Sequence, residues 1–222
     1  MARCVYVEAE WDPRDPLGEM VFIESIRKQS GFPTVAVAQA WLDRDDCAAV
    51  LEAHAQRDFV RAIRHKPKPG MMDDRKWRGG YARLAPLALH FELQAPWRQL
   101  GEAARLARDF PDTTLVLNHA GLPSDQDLPG WRQAMAALAA CPNAAVKISG
   151  LGKVTAKREV VLTAIELFGT QRAMFASNFP VDGLCASFSE IYSSFDEITR
   201  GLTAAERRAL FHDNAVRVYR ME

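Results

Sequence analysis

The stretch LHFELQ, residues 89–94, alternates apolar and polar side chains along its whole length. One phase holds leucine and phenylalanine, whereas the other holds His90, Glu92 and Gln94. Alternation with a period of two predicts a β-strand whose two faces meet different environments. A strand covered by helices on both faces of an open sheet is apolar throughout. The polar phase therefore favours a closed barrel, in which the outer phase packs against helices and the inner phase converges on the axis.

The rest of the chain repeats the arrangement of a short strand followed by a helix. The strands are predicted at Cys4–Glu8, Thr34–Ala40, Phe59–His65, Leu89–Gln94, Thr114–His119, Ala144–Ser149 and Ala173–Asn178. Helical spacing of apolar residues follows in 100–110 and 188–198, and Thr203 with Glu206 predicts a capping box before a last short helix. Repeated strand–helix units indicate parallel strands with right-handed crossovers. We expect a TIM-like (β/α) barrel with seven strands, formed by a single domain over residues 1–222.

Polar residues gather toward the C-terminal ends of the predicted strands, where barrels of this kind carry their chemistry. In the first strand, Val5 and Val7 are assigned to the helix-facing phase and Glu8 to the inward one. In the fifth strand, Leu117 shares its phase with His119, which stands at the strand end two residues before a glycine. We expect His119 to lie in the active site.

One long stretch, KPKPGMMDDRKWRGG at 66–80, shows no regular pattern. A loop of this length in a compact domain is either a functional element, such as a lid or substrate loop, or a surface insertion. Trp77 within it is a candidate for lining a ligand, with ordinary packing as the alternative.

Composition excludes several classes of function. Lys+Arg and Asp+Glu both number 28, so no net charge attracts nucleic acid. The sequence has neither an apolar run of about 20 residues, as a membrane span needs, nor a secretory signal, and we expect a cytoplasmic protein. The four cysteines form no CxxC pair, which indicates reduced thiols rather than a thiolate zinc site.

Five segments resemble the amidohydrolase-2 group of barrel hydrolases, which includes sugar-lactone and pyrone-dicarboxylate lactonases. In the family's order they are FVRAIRH (59–65), LVLNHAGLP (115–123), VKISGLG (146–152), MFASNFPVD (174–182) and FHDNAVRVY (211–219). The resemblance implies a distorted eight-stranded barrel that opens a small lactone by water attack. It also implies that His119 contacts the substrate carbonyl or a metal. Imidazole suits polarisation or proton transfer because its ordinary pKa lies near neutrality.

The sequence departs from this family at its opening strand. The family carries a His-x-His pair there, whereas CVYVEAEWDP (4–13) resembles the family's second strand. We therefore expect a barrel that is incomplete at its N-terminal end, whose free edge favours a homodimer. Zinc takes three or four protein ligands, and His119 is the one candidate ligand in this chain. No cofactor is expected, except zinc where another segment supplies the missing strand.

A second departure lies in the last strand motif. The family's Ser-Asp-Trp-Pro, with its aspartate as general base, is replaced by SNFP at 177–180. An amide does not accept a proton at neutral pH, so Asn178 is expected to orient water or substrate. Asp182 is the nearest carboxylate for the base role, and a helix N-cap is the alternative.

The remaining candidates are substrate-binding residues with structural alternatives. Arg64 and His65 end one strand and can hold a carboxylate or hydroxyls, or else form a salt bridge at the rim. Glu8, Glu92 and Lys147 point inward, either toward a ligand or into a structural ion network.

Three functions remain open from the sequence. The leading hypothesis is a hydrolase that opens a small lactone. A metal-dependent decarboxylase of the same fold and a non-catalytic ligand-binding relative are the alternatives. Each of them takes a small molecule as its partner.

Overall fold

The computed structural model describes residues 3–123 and 126–221. Its centre is a sheet of parallel strands that pair in chain order, β1 to β7. The strands are β1 (Val5–Val7), β2 (Val35–Gln39), β3 (Val60–His65), β4 (His90–Leu93), β5 (Leu115–Leu117), β6 (Ala144–Ile148) and β7 (Ala173–Phe175). All seven predicted strands are confirmed, each slightly shorter than predicted.

Helices follow the strands and cover the outer face of the sheet. The α-helices are α1 (Gly18–Ser30), α2 (Cys47–Ala55), α3 (Arg75–Tyr81), α4 (Leu100–Asp109), α5 (Leu128–Ala139), α6 (Arg158–Phe168), α7 (Phe188–Ile198), α8 (Ala204–Arg208) and α9 (Asn214–Val218). The capping box predicted at Thr203 and Glu206 opens α8. None of the helices in the described ranges is long and apolar enough to cross a membrane.

Alternate residues of the strands belong to two separate apolar clusters. The larger cluster joins the outward residues of the sheet to the helices. The smaller, interior cluster consists of Val35, Val37, Ala62, Val116, Ala145, Met174, Tyr219 and Met221. Val5 and Val7 pack against the interior cluster and Tyr6 against the outer one, so the phase predicted for the first strand is wrong. A strand of three residues has too little alternation to fix its phase.

The C-terminal segment closes the end of the sheet where the strands begin. Arg220 donates from Nη2 to the carbonyl of Ala88 at 2.7 Å, and Arg3 donates to the carbonyl of Met221 at 2.8 Å. Tyr219, between these contacts, is buried in the interior cluster. The polar mouth at the other end of the strands therefore remains the place for a site.

The irregular loop predicted at 66–80 is wrong. A 3-10 turn at Met71–Asp73 leads into α3, and the Asp74 carboxylate caps α3 by accepting from the Lys76 and Trp77 amides. Trp77 and Tyr81 are completely buried, and Trp77 stacks on Tyr81 and meets Phe91 edge to face. A helix of seven residues with two glycines shows no apolar period in the sequence, and tertiary packing specifies it instead.

The sheet has two free edges in the part of the chain that is described. β1 pairs with β2 and β7 with β6, but β1 and β7 do not pair with each other. An unpaired edge invites association. The expected homodimer stays a prediction.

Two adjacent glycines of α3 give a matched test of this packing. A Cβ at Gly80 would lie 2.1 Å from the Leu42 carbonyl oxygen, whereas a Cβ at Gly79 would meet nothing within 4 Å. We expect Gly80→Ala to lower the free energy of unfolding by about 2–4 kcal/mol, because the backbone of the neighbouring loop must move. Gly79→Ala should raise it by about 0.5–1 kcal/mol through helix propensity. Urea unfolding measures both, and equal effects of the two substitutions would contradict the predicted contact.

Candidate active site at the mouth of the sheet

A buried ion pair joins β3 to the segment after β1. Arg64 forms a salt bridge through Nε with the Glu8 carboxylate and donates from Nη2 to the Glu8 carbonyl at 2.6 Å. Its Nη1 donates to Oε1 of Gln94 at 3.1 Å. The other Glu8 carboxylate oxygen accepts from the Glu10 amide at 2.7 Å. These contacts satisfy both charged groups, which burial requires.

A second buried ion pair lies between β4 and β6. Lys147 Nζ is 2.5 Å from Oε2 of Glu92, and Oε1 of Glu92 accepts from the Tyr219 hydroxyl. Burial lowers the pKa of Lys147, while the Glu92 carboxylate opposes that shift. Glu92 and Lys147 thus lie inside the sheet, as their strand phases predicted. Glu8 is buried beside Arg64, although the phase predicted for the first strand is wrong.

The backbone turns sharply where β5 ends and brings His119 to the mouth. Asn118 is extended, whereas His119 and Ala120 have φ values of 55° and 47°. Such left-handed conformations are strained for residues other than glycine and are common at functional sites. The Trp131 indole holds the turn by donating to the Ala120 carbonyl at 2.8 Å. Without the turn, His119 would follow Leu115 and Leu117 toward the helices.

The His119 ring rests on the end of β6. Its Nδ1 lies 3.0 Å from the Ser149 hydroxyl, and the ring packs against Gly150, where a Cβ would approach Nδ1 to 2.5 Å. The pKa of His119 is lowered to about 4. Burial is the largest cause, and the nearby cations Lys147, Arg64 and Lys66 act in the same direction. The imidazole is therefore neutral at pH 7.

Asn178 and Asp182 form a unit after β7. The Asn178 amide donates from Nδ2 to Oδ1 of Asp182 at 2.9 Å, and the Gly152 amide donates to Oδ2 at 3.3 Å. Asn178 has a φ of 51°, a conformation that asparagine tolerates better than most residues. The N-cap of α7 is Ser187, which forms a capping box with Glu190. The alternative role of Asp182 as that cap is wrong.

The structure brings some predicted site residues together and separates others. His119 and Asp182 both contact the segment Ser149–Gly152, above the interior ion pairs. His65 instead lies in the outer layer, where its Nδ1 accepts from the Trp77 indole at 3.0 Å and the Leu42 amide at 3.3 Å. Trp77 has no exposed surface, so its predicted role in lining a ligand is wrong.

Sequence reasoning missed three residues of this region. Asn118 lies within the segment 115–123, Ser149 within 146–152 and Tyr219 within the closing segment 211–219. Both polar atoms of the Asn118 amide are buried without a hydrogen-bond partner among the described residues. A polar residue in the inward phase of a strand was the available signal for Ser149 and Asn118, whereas nothing local links Tyr219 to Glu92, 127 residues away.

Comparison with known proteins identifies the family. The model Amidohydro_2, described as amidohydrolase, matches residues 19–221. The chain belongs to the amidohydrolase family. It has the TIM-like fold of that family, with seven parallel strands in the described residues.

Relatives of this amidohydrolase include two sequences and a solved structure. The uncharacterized protein y4mH of Sinorhizobium fredii is 38% identical over 241 residues, covering 100% of this chain and 81% of the relative. An L-fucono-1,5-lactonase of Burkholderia multivorans is 31% identical over 185 residues, covering 72% of this chain and 62% of the relative. A crystal structure of a Burkholderia multivorans amidohydrolase with bound zinc has a TM-score of 0.90 and 27% identity, covering 100% of this chain and 84% of the other.

The donor set of this chain does not fit a zinc ion. Zinc sites in proteins use three or four ligands from His, Cys, Asp and Glu. Within residues 3–123 and 126–221, no three such side chains converge. Glu8 is paired with Arg64, and both Asp182 oxygens accept hydrogen bonds.

Because the donor set does not fit zinc, the chain should not bind this ion tightly. We expect the purified chain to hold no stoichiometric zinc after dialysis against a chelator, and its melting temperature to stay unchanged after zinc is added back. Elemental analysis and thermal unfolding measure the two quantities. One bound zinc per chain, with a raised melting temperature, would contradict the prediction.

Buried neutral histidines predict loss of stability in mild acid. Burial is the main cause that lowers the pKa of His54, His65 and His119 to about 4, from 6.5 in the unfolded chain. The unfolded state then takes up protons first, so the free energy of unfolding should fall as pH drops from 6.5 to 4 and level off below. Each histidine should contribute about 1–3 kcal/mol. Urea unfolding across this window measures the slope.

A matched pair of variants isolates the histidine contribution. His54→Gln should make the slope shallower, whereas His212→Gln, at an exposed site, should leave it unchanged. A free energy of unfolding that stays constant between pH 6.5 and 4 would contradict the assignment of these rings as neutral.

Proposed function

We propose that this amidohydrolase opens a neutral lactone that carries hydroxyl groups, by attack of water at the barrel mouth. The observation that carries the proposal is a neutral histidine at the mouth, above an interior whose charges are paired. Ring opening needs a held water, a base and a polarised carbonyl. His119 and Asp182, with the cations Arg64 and Lys147 in the interior, are the groups available for these tasks.

The paired charges support a neutral substrate. Arg64 is paired with Glu8 and Lys147 with Glu92, and Lys66 Nζ is 2.5 Å from Glu10. A dicarboxylate ring needs cations that are free to bind it. Cations that already hold carboxylates would have to give them up, which leaves buried charges unpaired.

The Asn118 amide adds support for hydroxyl groups on that substrate. It lies in the inward phase beside Gln94 and Lys147, and both of its polar atoms lack a partner among the described residues. An unsatisfied buried polar group costs about 1–3 kcal/mol. A hydroxyl both donates and accepts, so one hydroxyl can meet either end of the amide. A small shift of neighbouring side chains would let a substrate hydroxyl reach the Asn118 amide.

The proposed reaction uses the contacts around β6. Nε2 of neutral His119 accepts a hydrogen bond from the attacking water, and the Asp182 carboxylate takes the proton. The water oxygen bonds to the carbonyl carbon, the bond from that carbon to the ring oxygen breaks, and Asp182 returns the proton to the ring oxygen. The products are one hydroxyl and one carboxylic acid, which ionises at neutral pH. Asn178 and Gly152 hold the Asp182 carboxylate.

The relatives support this substrate class over the alternatives. Two of them carry the names L-fucono-1,5-lactonase and L-rhamnono-gamma-lactonase. The decarboxylase hypothesis requires a metal that the donor set does not fit. The non-catalytic hypothesis remains an outcome of the test.

Lactone hydrolysis provides the test. L-fucono-1,5-lactone and 2-pyrone-4,6-dicarboxylate are supplied to the purified chain, and acid release is followed at constant pH. We expect turnover of the neutral lactone and not of the dicarboxylate. His119→Ala and Asp182→Asn should each lower kcat/KM by about 100-fold or more.

Matched controls are taken from exposed positions of the same residue types. His212→Ala and Asp213→Asn, which contact each other at the surface, should retain full activity. Ligand binding without acid release would favour the non-catalytic relative. Faster turnover of the dicarboxylate than of the neutral lactone would overturn the proposal of a neutral substrate.

A further inference from the structure

We propose that Ser149 is a positioning residue that holds Nδ1 of His119, so that Nε2 is the nitrogen presented to the ligand. The inference deepens the proposed function, on which it rests, because His119 acts there through a lone pair on Nε2.

The contact between the two side chains is short and dry. The Ser149 hydroxyl is 3.0 Å from Nδ1, and Ser149 and His119 are 3% and 9% exposed. Water competes poorly for a hydrogen bond in such surroundings, which makes the bond stronger than one at the surface. A single hydroxyl can therefore bias the orientation of the ring.

Gly150 provides the surface on which the ring lies. A Cβ at this position would be 2.5 Å from Nδ1 and 2.7 Å from Cγ of His119. Gly152, two residues later, has a similar φ of 61° against 64°, but a Cβ there would meet only Cys185, at 3.5 Å. The two glycines share a left-handed conformation and differ in their contact with the ring.

The proposed reaction requires the hydrogen of the neutral ring to lie on Nδ1. Nε2 accepts a hydrogen bond from water in that reaction, so it must keep its lone pair. The Ser149 hydroxyl oxygen, 3.0 Å from Nδ1, can accept the hydrogen that Nδ1 carries. Since Nδ1 faces Ser149, we infer that Nδ1 donates and Nε2 keeps its lone pair.

The direct test is the tautomer of His119, read from its imidazole nitrogen chemical shifts. Protein labelled with ¹⁵N at histidine is measured at pH 7, and the His119 signals are assigned by their loss in His119→Gln. We expect Nδ1 protonated and Nε2 bare in the native chain. Ser149→Ala should move both shifts toward a mixture of tautomers, whereas Ser193→Ala, at an exposed serine, should leave them unchanged.

Kinetics on L-fucono-1,5-lactone provides a second readout. Ser149→Ala should lower kcat by about 10- to 100-fold with little change in KM, because a displaced catalytic group weakens chemistry more than binding. Ser149→Thr, which keeps the hydroxyl, should restore most of the loss. Should Ser149→Ala fail to fold, Gly150→Ala compared with Gly152→Ala tests the same contact.

The outcomes separate this inference from the proposed function. A protonated Nε2 in the native chain, or unchanged His119 shifts in Ser149→Ala, would overturn the positioning role even where lactone is hydrolysed. An acyl group found on Ser149 by mass spectrometry would overturn it too, since Ser149 would then be a nucleophile. Absence of lactone turnover with the expected shifts would overturn the proposed function and leave the positioning of the ring supported.

Discussion

The arrangement of the strands depends on two ion pairs that are buried inside the sheet. Glu8 with Arg64, and Glu92 with Lys147, lie where barrel interiors are otherwise filled by aliphatic side chains. Removing one member of a buried pair typically costs 3–5 kcal/mol, because its partner is left uncompensated. The pairs therefore fix how β1, β3, β4 and β6 stand relative to one another. The Tyr219 hydroxyl extends the constraint to the C-terminus by donating to Glu92.

The same pairs determine the electrostatics of the mouth above them. Lys147 and Arg64 help burial to keep the His119 ring neutral, since a second positive charge nearby is unfavourable. Their own carboxylate partners prevent them from acting as free anion-binding groups. The buried charges thus affect the proposed reaction in two ways. They keep His119 neutral, and they favour a neutral substrate over an anionic one.

Much of the fold could be predicted from the sequence, because period-two alternation and strand–helix repetition are local signals. They gave seven strands, and they placed Glu92 and Lys147 inside. Features that depend on tertiary contact could not be predicted. α3 exists because Trp77 and Tyr81 are buried, and only the folded structure shows that Trp77 and Leu42 donate to His65. For β1, three residues carried too little alternation to show which face is inside.

The candidate site shows the same division between local and tertiary signals. His119 was found from its motif, although its strand phase alone pointed it toward the helices. The left-handed backbone at His119 and Ala120 reverses that direction, and the glycine two residues after His119 gave only a hint of such a turn. Ser149 was missed because its role depends on where this turn sends the ring, which no spacing in the sequence records.

The short distance between positions 178 and 182 favours an amide over a carboxylate at Asn178. Two carboxylates 2.9 Å apart would repel each other, and one of them would have to hold a proton. The amide instead donates to Asp182 and tolerates the left-handed backbone at its own position. In the proposed reaction the base is displaced by four residues rather than lost, and the residue in its former position becomes its support. The Gly152 amide holds the second oxygen of Asp182, while Ser149 and Gly150 hold His119. One short segment after β6 therefore positions both groups that the proposed water attack requires.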